Sequence, residues 1–489
     1  MVWLLPSIFK VNEYEKHMLH KKLIYIVLIV SFIACSSKNP GMNKDEIVRT
    51  LDEQAMQHET AVKAASAAMP EVTEDYTPPA GIKYRAKIET VGVKTLNVQA
   101  ALKNVRSMKV SELGTLRIHR TGALVPMGGS LISVDEGYLL NSYQGIYLLD
   151  KDFKLIKQLF KNDVEFQRNG KRFFFQLNAL LQSVYYNATH KQVQGAYTVY
   201  KHERNSSRTF LAFLPWDVLT AATEPLIEKD ITNSVPLQGN LGHRVLFKFT
   251  TEGFMRGIPY SSRFYTNELK GDTLCYFDPT HLPDYAPSGR SGSVRSGEPW
   301  NIYDYQGKTR IRLAYDNTLY QLENASTLKA IYRLDFGSLQ RAVGQKVIGG
   351  SNVDDFYFVD QWLETDRYLF IRLTKGYDSP NARKAKSVSL YSLIYDKTSG
   401  NFFSLPHEAD KVELDFPCFP ADGEQNVSFY PKGAVGNILF TCLDAMNMKD
   451  KYPDALKGQD VPDDELIVLT IESVSYTHLR AHETEADLV

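Results

Sequence analysis

The sequence predicts an all-β chain, a β-propeller read as six-bladed and reached through a short N-terminal helical spacer. Three observations predict it. Aromatic residues make up 12% of the 489 residues, with 28 Tyr and 25 Phe, and strands favour such side chains. From about Tyr84 onward, short segments rich in Tyr, Phe, Val, Ile and Leu are punctuated by Gly, Asn and Asp. Strand–turn–strand units then recur over roughly 390 residues, more strands than a single sandwich holds, and radial repetition extends without leaving long exposed edges.

The chain opens with a leader. Residues 18–35 read MLHKKLIYIVLIVSFIAC: His20, Lys21 and Lys22, then an apolar run from Leu23 to Ile33, then Ala34 and Cys35. This is the layout of a secretory signal, with a run too short to span a bilayer as a helix. Phe32-Ile33-Ala34-Cys35 resembles the lipobox of bacterial lipoproteins, which implies that Cys35 is lipidated and begins the mature protein. Residues 1–17 precede a second methionine, Met18, and are expected to be a start-site overrun, because the charged region of a signal normally opens the chain.

A polar tether, residues 36–41, follows Cys35. Residues 43–69 are expected to form the spacer helix: Asn43 and Glu46 have capping-box spacing, and Ile47, Leu51, Ala55, Val62 and Ala65 draw a thin apolar stripe. Pro70, Pro78 and Pro79 end it and mark a linker. Tether and spacer together occupy 35–80, and the propeller domain 81–473.

Within the domain, GYLLNSYQGIYLLDKDFKLIKQLF at 137–160 shows the repeat. Tyr138, Leu139 and Leu140 form a strand, Gln144-Gly145 turns, Ile146 to Leu149 form a second strand, Asp150-Lys151-Asp152 turns again, and Leu155 to Phe160 alternate as a third. Residues 318–336 and 390–405 repeat the pattern. Strands are also expected at 197–200, 245–249, 274–277, 369–373 and 438–443. Residues 466–471 form the obvious last strand, with 115–119 or 131–134 as the early partner that closes the ring.

The unit IYLLDKDFKLIKQLF, the stretch Glu364-Thr365-Asp366-Arg367-Tyr368-Leu369-Phe370 and the late Asp463-Asp464-Glu465-Leu466-Ile467-Val468 resemble the six-bladed β-propeller lipoproteins of Bacteroidales, many of them families of unknown function. The resemblance covers roughly 81–473, and its motifs are structural. Several relatives carry a Gly-Pro-Gly-Glu-like turn where Lys161-Asn162-Asp163 stands here, so no residue role is carried over from that turn. Surface lipoproteins of that order carry acidic residues just after the lipidated cysteine. Ser36-Ser37-Lys38-Asn39 has none, which implies an outer-membrane lipoprotein on the periplasmic side. Residues 474–489, VSYTHLRAHETEADLV, resemble a translated sequencing adapter. The natural chain is therefore expected to be cut near Ser473, with ring closure left incomplete, and His478 and His482 enter no metal site despite their i, i+4 spacing.

The formal net charge is −1, which gives no charge excess for nucleic acid. His58, His119, His190, His202, His243, His281 and His407 are dispersed, no C-x-x-C and no G-x-S-x-G occurs, and no catalytic, cofactor or metal residue is assigned. Gly128-Gly129-Ser130 leads into a strand rather than a helix, so it does not read as a phosphate loop. Asp354, Asp355 and Asp360 read as solvated turn acids before an acid/base pair or a calcium site. Cys418 and Cys442 either pair in an oxidising compartment or stay as buried free thiols.

Ligand contact is expected instead from GFMRGIPYSSRFY at 253–265 and from the long loop 283–300 that leads into Trp300-Asn301-Ile302-Tyr303. Guanidinium groups interleaved with aromatic faces suit sugar rings, peptides or carboxylates, so Arg256, Tyr260, Arg263, Trp300 and Tyr303 are the candidate ligand-binding residues. Their alternative role is blade core. The functional expectation is a lipid-anchored envelope propeller that binds a glycan, a peptide or an envelope protein without chemistry. A propeller lyase or hydrolase, with acids or histidines converging at the channel mouth, and a structural subunit of an outer-membrane assembly are the alternatives.

Overall fold

Six antiparallel sheets follow one another along the chain, each a short meander, as the spacing of apolar runs and turn residues leads one to expect. A computed structural model describes residues 82–125, 129–169, 172–201, 206–232, 234–237, 247–257, 263–270, 272–278, 300–339, 355–376, 382, 385, 387–406, 418–422 and 427–473. The leader, Cys35, the expected spacer helix at 43–69 and the tail at 474–489 lie outside the described residues.

Blade 1 spans 130–161, blade 2 163–236, blade 3 247–277, blade 4 301–335 and blade 5 357–404. Blade 6 joins Gly433–Val435, Ile438–Asp444 and Glu465–Ser473 to the early strand Gly114–Leu124. In every blade but the second the first strand lies innermost, and the inner strands touch one another from blade to blade around an axis. In blade 2 the 16-residue strand Arg172–Asn187 plays two parts. Its first half pairs with Asp163–Asn169 as a hairpin, and its second half, from Ala179, is the inner strand against Gln192–Lys201.

Blades pack face to face, so their middle strands are covered on both sides. Gly145–Leu149 is buried at all five positions and Tyr368–Lys375 at six of eight. This is why the sequence there shows continuous apolar runs rather than period-two alternation. Each of the six interfaces has its own apolar cluster. Leu139, Ile146 and Phe160 meet Leu181, Val193 and Tyr197 between blades 1 and 2. Leu211 meets Phe249 and Phe254 between 2 and 3, and Met255 and Phe264 meet Ile311 and Tyr320 between 3 and 4. Leu319 meets Trp362, Leu369, Ile371 and Leu373 between 4 and 5. Phe370 and Ile394 meet Leu439 and Ile467 between 5 and 6, and Phe440 and Val468 meet Leu140 and Leu149 across the closure.

The N-terminal part of the domain is a clasp around the rim. Tyr84 bridges to Cys275 on the outer strand of blade 3. Lys87–Glu89 and Lys94–Asn97 then run parallel to the outer strand of blade 4, Thr327–Asp335. The helix Val98–Lys103, capped by the Asn97 side chain on the Ala100 amide at 2.8 Å, carries the chain to blade 5, where Val105 bridges to Ser404. Gly114–Leu124 finally becomes the outermost strand of blade 6. The clasp thus covers strand edges on three blades before it completes a fourth sheet.

Closure uses the first of the two expected partners. Glu465–Ser473 pairs antiparallel with Gly114–Leu124 from Glu465↔Leu124 to Ser473↔Gly114, and Ser130–Val134 instead opens blade 1. The expected gap in the ring is not found, because the last strand already reaches the full length of its partner by Ser473.

Candidate functional site

The inner strands enclose an axial cavity of about 1060 Å³, to which all six blades contribute. Ser130 to Ser133 come from blade 1, Ser183 to Tyr186 from blade 2, Lys248 and Thr250 from blade 3, Ile302 to Asp304 from blade 4, Gln361 and Leu363 from blade 5 and Gly433 to Val435 from blade 6. Turn residues that follow inner strands, among them Glu252, Gln306 and Gly436, line one end. Inner strands have one face on the axis, so every second residue there is free to be polar without cost to the blade interfaces.

Three of these blades are tied together inside the cavity. Lys248 Nζ donates to Asp304 Oδ2 at 2.6 Å, and its ammonium lies 5.2 Å from the centroid of the Tyr185 ring. Thr309 donates its hydroxyl to the other Asp304 oxygen at 3.1 Å. Burial, with the Asp304 charge in support, pushes the Tyr185 hydroxyl up to about 12, so it remains a neutral donor at any ordinary pH. Glu252 accepts from the Ala325 amide at 3.2 Å, and Glu323 accepts from Gln321 at 2.7 Å and faces Lys308 at 3.6 Å. Each acidic group of the described lining is therefore engaged by a donor of this chain.

A second polar network lies behind the cavity wall, between blades 4 and 5. The Glu364 carboxylate accepts from Arg310 Nε at 2.9 Å, from Lys397 Nζ at 2.7 Å and from the Tyr303 hydroxyl at 3.2 Å. Its side chain is 1% exposed. Lys397 also donates to the Thr365 carbonyl at 2.6 Å and sits 4.4 Å from the Tyr305 ring centroid. Asp366 accepts from Tyr305 at 3.1 Å and Gln306 at 3.0 Å and binds the Asn437 side chain, which brings in blade 6. Those donors hold the Asp366 carboxyl below the usual range, Asn437 foremost. The stretch 364–370 noted in the sequence is thus a blade-to-blade fastener.

The sequence-predicted ligand residues fall in different settings. Tyr303 lines the cavity on the inner strand of blade 4, yet its hydroxyl is directed at Glu364. Burial, then Glu364, raises its pKa well above the ordinary tyrosine value. Arg256 is half-buried on the second strand of blade 3, and burial pulls its guanidinium below the usual value. Arg263 donates to Asp278 at 3.0 Å. Trp300 packs edge-on to Phe264 at 6.4 Å. Register places Arg256, Arg263 and Asp278 at the end of blade 3 where inner strands begin, opposite the turns at 251–253. Tyr260 lies outside the described residues, as do His58, His202, His243, His281, His407, Asp354 and Gly128.

The remaining candidates have structural settings. His119 Nε2 shares a hydrogen bond with Thr470 at 2.8 Å across the closing strands. Asp355 pairs with Lys375 at 2.9 Å and Asp360 with Arg372 at 3.1 Å. Cys418 is exposed, Cys442 is partly buried, and neither is in a disulfide. Among the described residues no group of three or more His, Cys, Asp or Glu is placed to hold a metal ion. The residues that sequence reading missed, Asn141, Tyr185, Lys248, Asp304 and Gln361, carry no motif. The only sign of them is a polar residue within a short apolar strand.

Comparison with known proteins gives a family and several distant likenesses. The model of a family described as a domain of unknown function (DUF4933) matches residues 79–454. No curated protein matches the chain. Among solved structures, a Bacteroides fragilis protein whose name assigns it provisionally to export is 13% identical, with a TM-score of 0.48 over 78% of this chain and 100% of that one. A Thermus thermophilus protein named for glucose-dehydrogenase-type oxidoreduction is 10% identical, with a TM-score of 0.31 over 73% of this chain and 100% of that one. A hypothetical selenium-binding protein of Sulfolobus tokodaii is 10% identical, with a TM-score of 0.32 over 61% of this chain and 72% of its own. Likenesses at this level carry nothing about ligand or chemistry.

Proposed function

The chain belongs to the DUF4933 family of unknown function, and on that premise we propose that it is a lipid-anchored envelope module that binds a ligand in its axial cavity without transforming it. The observation that carries this reading is the cavity itself. About 1060 Å³ is the size of a small-molecule or oligomer site, and its lining mixes apolar, aromatic and polar groups. Its carboxylates are bound to lysine, hydroxyl or amide donors, an arrangement that favours holding a ligand over moving protons. Arg256, Arg263 and Trp300 belong to the proposal as contacts at the opposite end of the axis and Tyr303 as a wall residue, while Tyr260, outside the described residues, stays a proposed ligand contact without a place in the structure. A glycan, a peptide or a segment of an envelope protein is the ligand class.

Cys35 is the proposed lipidation site, which would tether the module to the periplasmic side of the outer membrane through residues 36–80. The lipobox-like Phe32-Ile33-Ala34-Cys35 and the absence of acidic residues at 36–39 support that placement. Two measurements test the proposal. A Cys35→Ser variant should lose incorporation of an alkyne-tagged fatty acid and leave the membrane fraction. If the unaltered protein takes up no label, or protease removes it from intact cells, the anchor or its leaflet is refuted. In a thermal-shift screen of neutral saccharides, acidic saccharides and short peptides, at least one class should raise Tm. No shift with any class overturns ligand binding.

A further inference from the structure

We infer that the rim of the propeller carries a second ligand site, between the clasp and blade 5, which takes a compact organic acid by its carboxylate. The site is a pocket of about 220 Å³, lined by Arg106, Met108 and Glu112 of the clasp and by Arg367, Tyr368, Asp396 and Phe403 of blade 5. It shares no lining residue with the axial cavity.

Backbone pairing builds the pocket. The Arg106 amide donates to the Ser404 carbonyl at 2.9 Å, and the Ser404 amide donates to the Asn104 carbonyl at 3.0 Å, so the clasp lies along the outer strand of blade 5. Tyr368 and Asp396 face each other as cross-strand partners within that blade. Met108 and Phe403, each 2% exposed, supply the apolar part of the lining. The Arg106 guanidinium lies 5.3 Å from the Phe403 ring centroid and that of Arg367 4.8 Å from Tyr368, which restrains both.

The acceptors of the pocket are filled. Glu112 Oε2 accepts from Arg106 at 2.7 Å and Oε1 from the Lys109 amide at 2.9 Å. Asp396 Oδ1 accepts from the Thr398 and Ser399 amides at 2.9 and 3.3 Å, and Oδ2 accepts from Arg367 at 3.4 Å. The donors are not filled. Among the described residues that long contact is the only hydrogen bond of the Arg367 guanidinium, and Arg106 commits a single nitrogen, to Glu112. Arg367 Nε is sealed and beyond any ligand. The Tyr368 hydroxyl differs: it has no hydrogen-bond partner among the described residues, yet it is not one of the sealed atoms, and the rest of the residue is buried. Arg367, Asp396, Arg106 and Glu112 all act on that hydroxyl, so it stands among the four charges. Burial pushes it up to about 12, which keeps it a donor at ordinary pH.

A tyrosine hydroxyl in such a setting normally has a partner. Open donors beside filled acceptors suit a ligand group that only accepts, and a carboxylate fits the guanidinium edge with two oxygens. Charge and shape select among oxyanions. Two guanidinium groups and two carboxylates leave the pocket without net charge, so the second charge of a phosphate would meet Glu112 and Asp396 with nothing to offset it. Met108 and Phe403 suit an apolar body beside the carboxylate. The volume lies below the ~300–1,000 Å³ of a drug-sized site, which limits that body to a ring or a short chain.

The test uses the purified full-length protein with benzoate and hexanoate, and with benzamide and inorganic phosphate as contrasts. At least one acid at millimolar concentration should raise Tm and give a Kd by calorimetry, and benzamide and phosphate should not. Tyr368→Phe removes only the hydroxyl and should weaken that acid about tenfold or more, the loss of one hydrogen bond to a charged group. Arg106→Gln should weaken it similarly, and Arg106→Lys, which keeps the charge without the fork, should fall between. The Tm of each ligand-free variant reports folding. A tripeptide ending in phenylalanine separates the two sources of such a carboxylate: tighter binding than benzoate assigns the pocket to a chain end, weaker binding to a free acid, and in either case amidation of the end should abolish it. Equal binding of benzamide or of the amidated peptide, or preference for phosphate, overturns the carboxylate assignment. Acid binding that Tyr368→Phe and Arg106→Gln both retain unchanged overturns the site. Binding of neither acid nor peptide overturns the inference and leaves the axial cavity untouched.

Discussion

Glu364→Gln tests whether the network between blades 4 and 5 is a fastener. Among the described residues Glu364 is the one carboxylate bound to both Arg310 and Lys397, at 2.9 and 2.7 Å, and its side chain is 1% exposed. Glutamine keeps the shape but removes the charge and turns one oxygen into a donor that faces donors. Two cations then remain in a desolvated site. Removing one partner of a buried ion pair costs about 3–5 kcal/mol, chiefly through the charge left behind. With an unfolding entropy of ~2.1 cal/mol/K per residue over roughly 390 residues, about 0.8 kcal/mol/K, the loss corresponds to a Tm lower by roughly 4–6 °C.

The pH dependence sharpens this test. Burial already pulls Lys397 below the ordinary lysine value of 10.5, and Glu364 opposes that pull. In the variant only Asp366 still opposes the pull, which Arg310 reinforces, so the unfolded chain binds more protons than the folded one at alkaline pH, and stability rises with pH below 10.5. Scanning calorimetry at pH 7 and pH 9 should therefore show a smaller Tm deficit at pH 9. A variant within about 1 °C of the unaltered protein at pH 7, or an equal deficit at both pH values, would refute the fastener argument.

Three further outcomes are expected. Gly145 has φ of +139°, and a Cβ there would collide with the Phe160 carbonyl oxygen, so Gly145→Ala should cost more than about 3 kcal/mol in urea unfolding; a wild-type midpoint would show that blade 1 tolerates the residue. Burial lowers the His119 pKa from 6.5, with Arg117 adding to this and Asp152 opposing it, so its contribution to stability is complete above pH 6.5 and fades as pH falls below it; His119→Gln should flatten that acid slope, and an unaltered slope would exclude His119 as its source. Burial pushes Cys442 up to about 12 and Cys275 up to about 11, whereas Cys418 is exposed, so brief alkylation of the native protein at pH 8 should label Cys418 ahead of both, as read by mass spectrometry; absence of label at Cys418, with release by reductant, would show a disulfide instead.

Much of the fold was legible because blade strands are local. Residues 137–160 read as three strands and fold as Gly137–Ser142, Gly145–Leu149 and Leu155–Lys161, since each turn is set by residues within it. Asp150 shows the mechanism: its Oδ1 accepts from the amides of Asp152 and Lys154, both at 2.9 Å, so the turn is written in five consecutive residues. Ring closure was half legible. The apolar run at 466–471 announced a strand, but only the register chose Gly114–Leu124 over Ser130–Val134 as its partner. The clasp was not legible at all. Lys87–Glu89 and Lys94–Asn97 are short and mostly exposed, and they become strands only because the edge of blade 4 offers them backbone partners.

The site followed the opposite rule. Arg310 meets Glu364 from 54 residues away, and Lys397 meets the same carboxylate from 33. Lys248 and Asp304, 56 residues apart, meet only because inner strands of successive blades stand side by side. In the sequence each is one charged residue in an apolar strand, indistinguishable from a solvated one. By itself the sequence determined the blade repeat and most of its strands, because turn chemistry and apolar runs act over a few residues. Only the tertiary structure decided which polar side chains face the axis, since that depends on how six blades are rotated about it and no local pattern encodes the rotation.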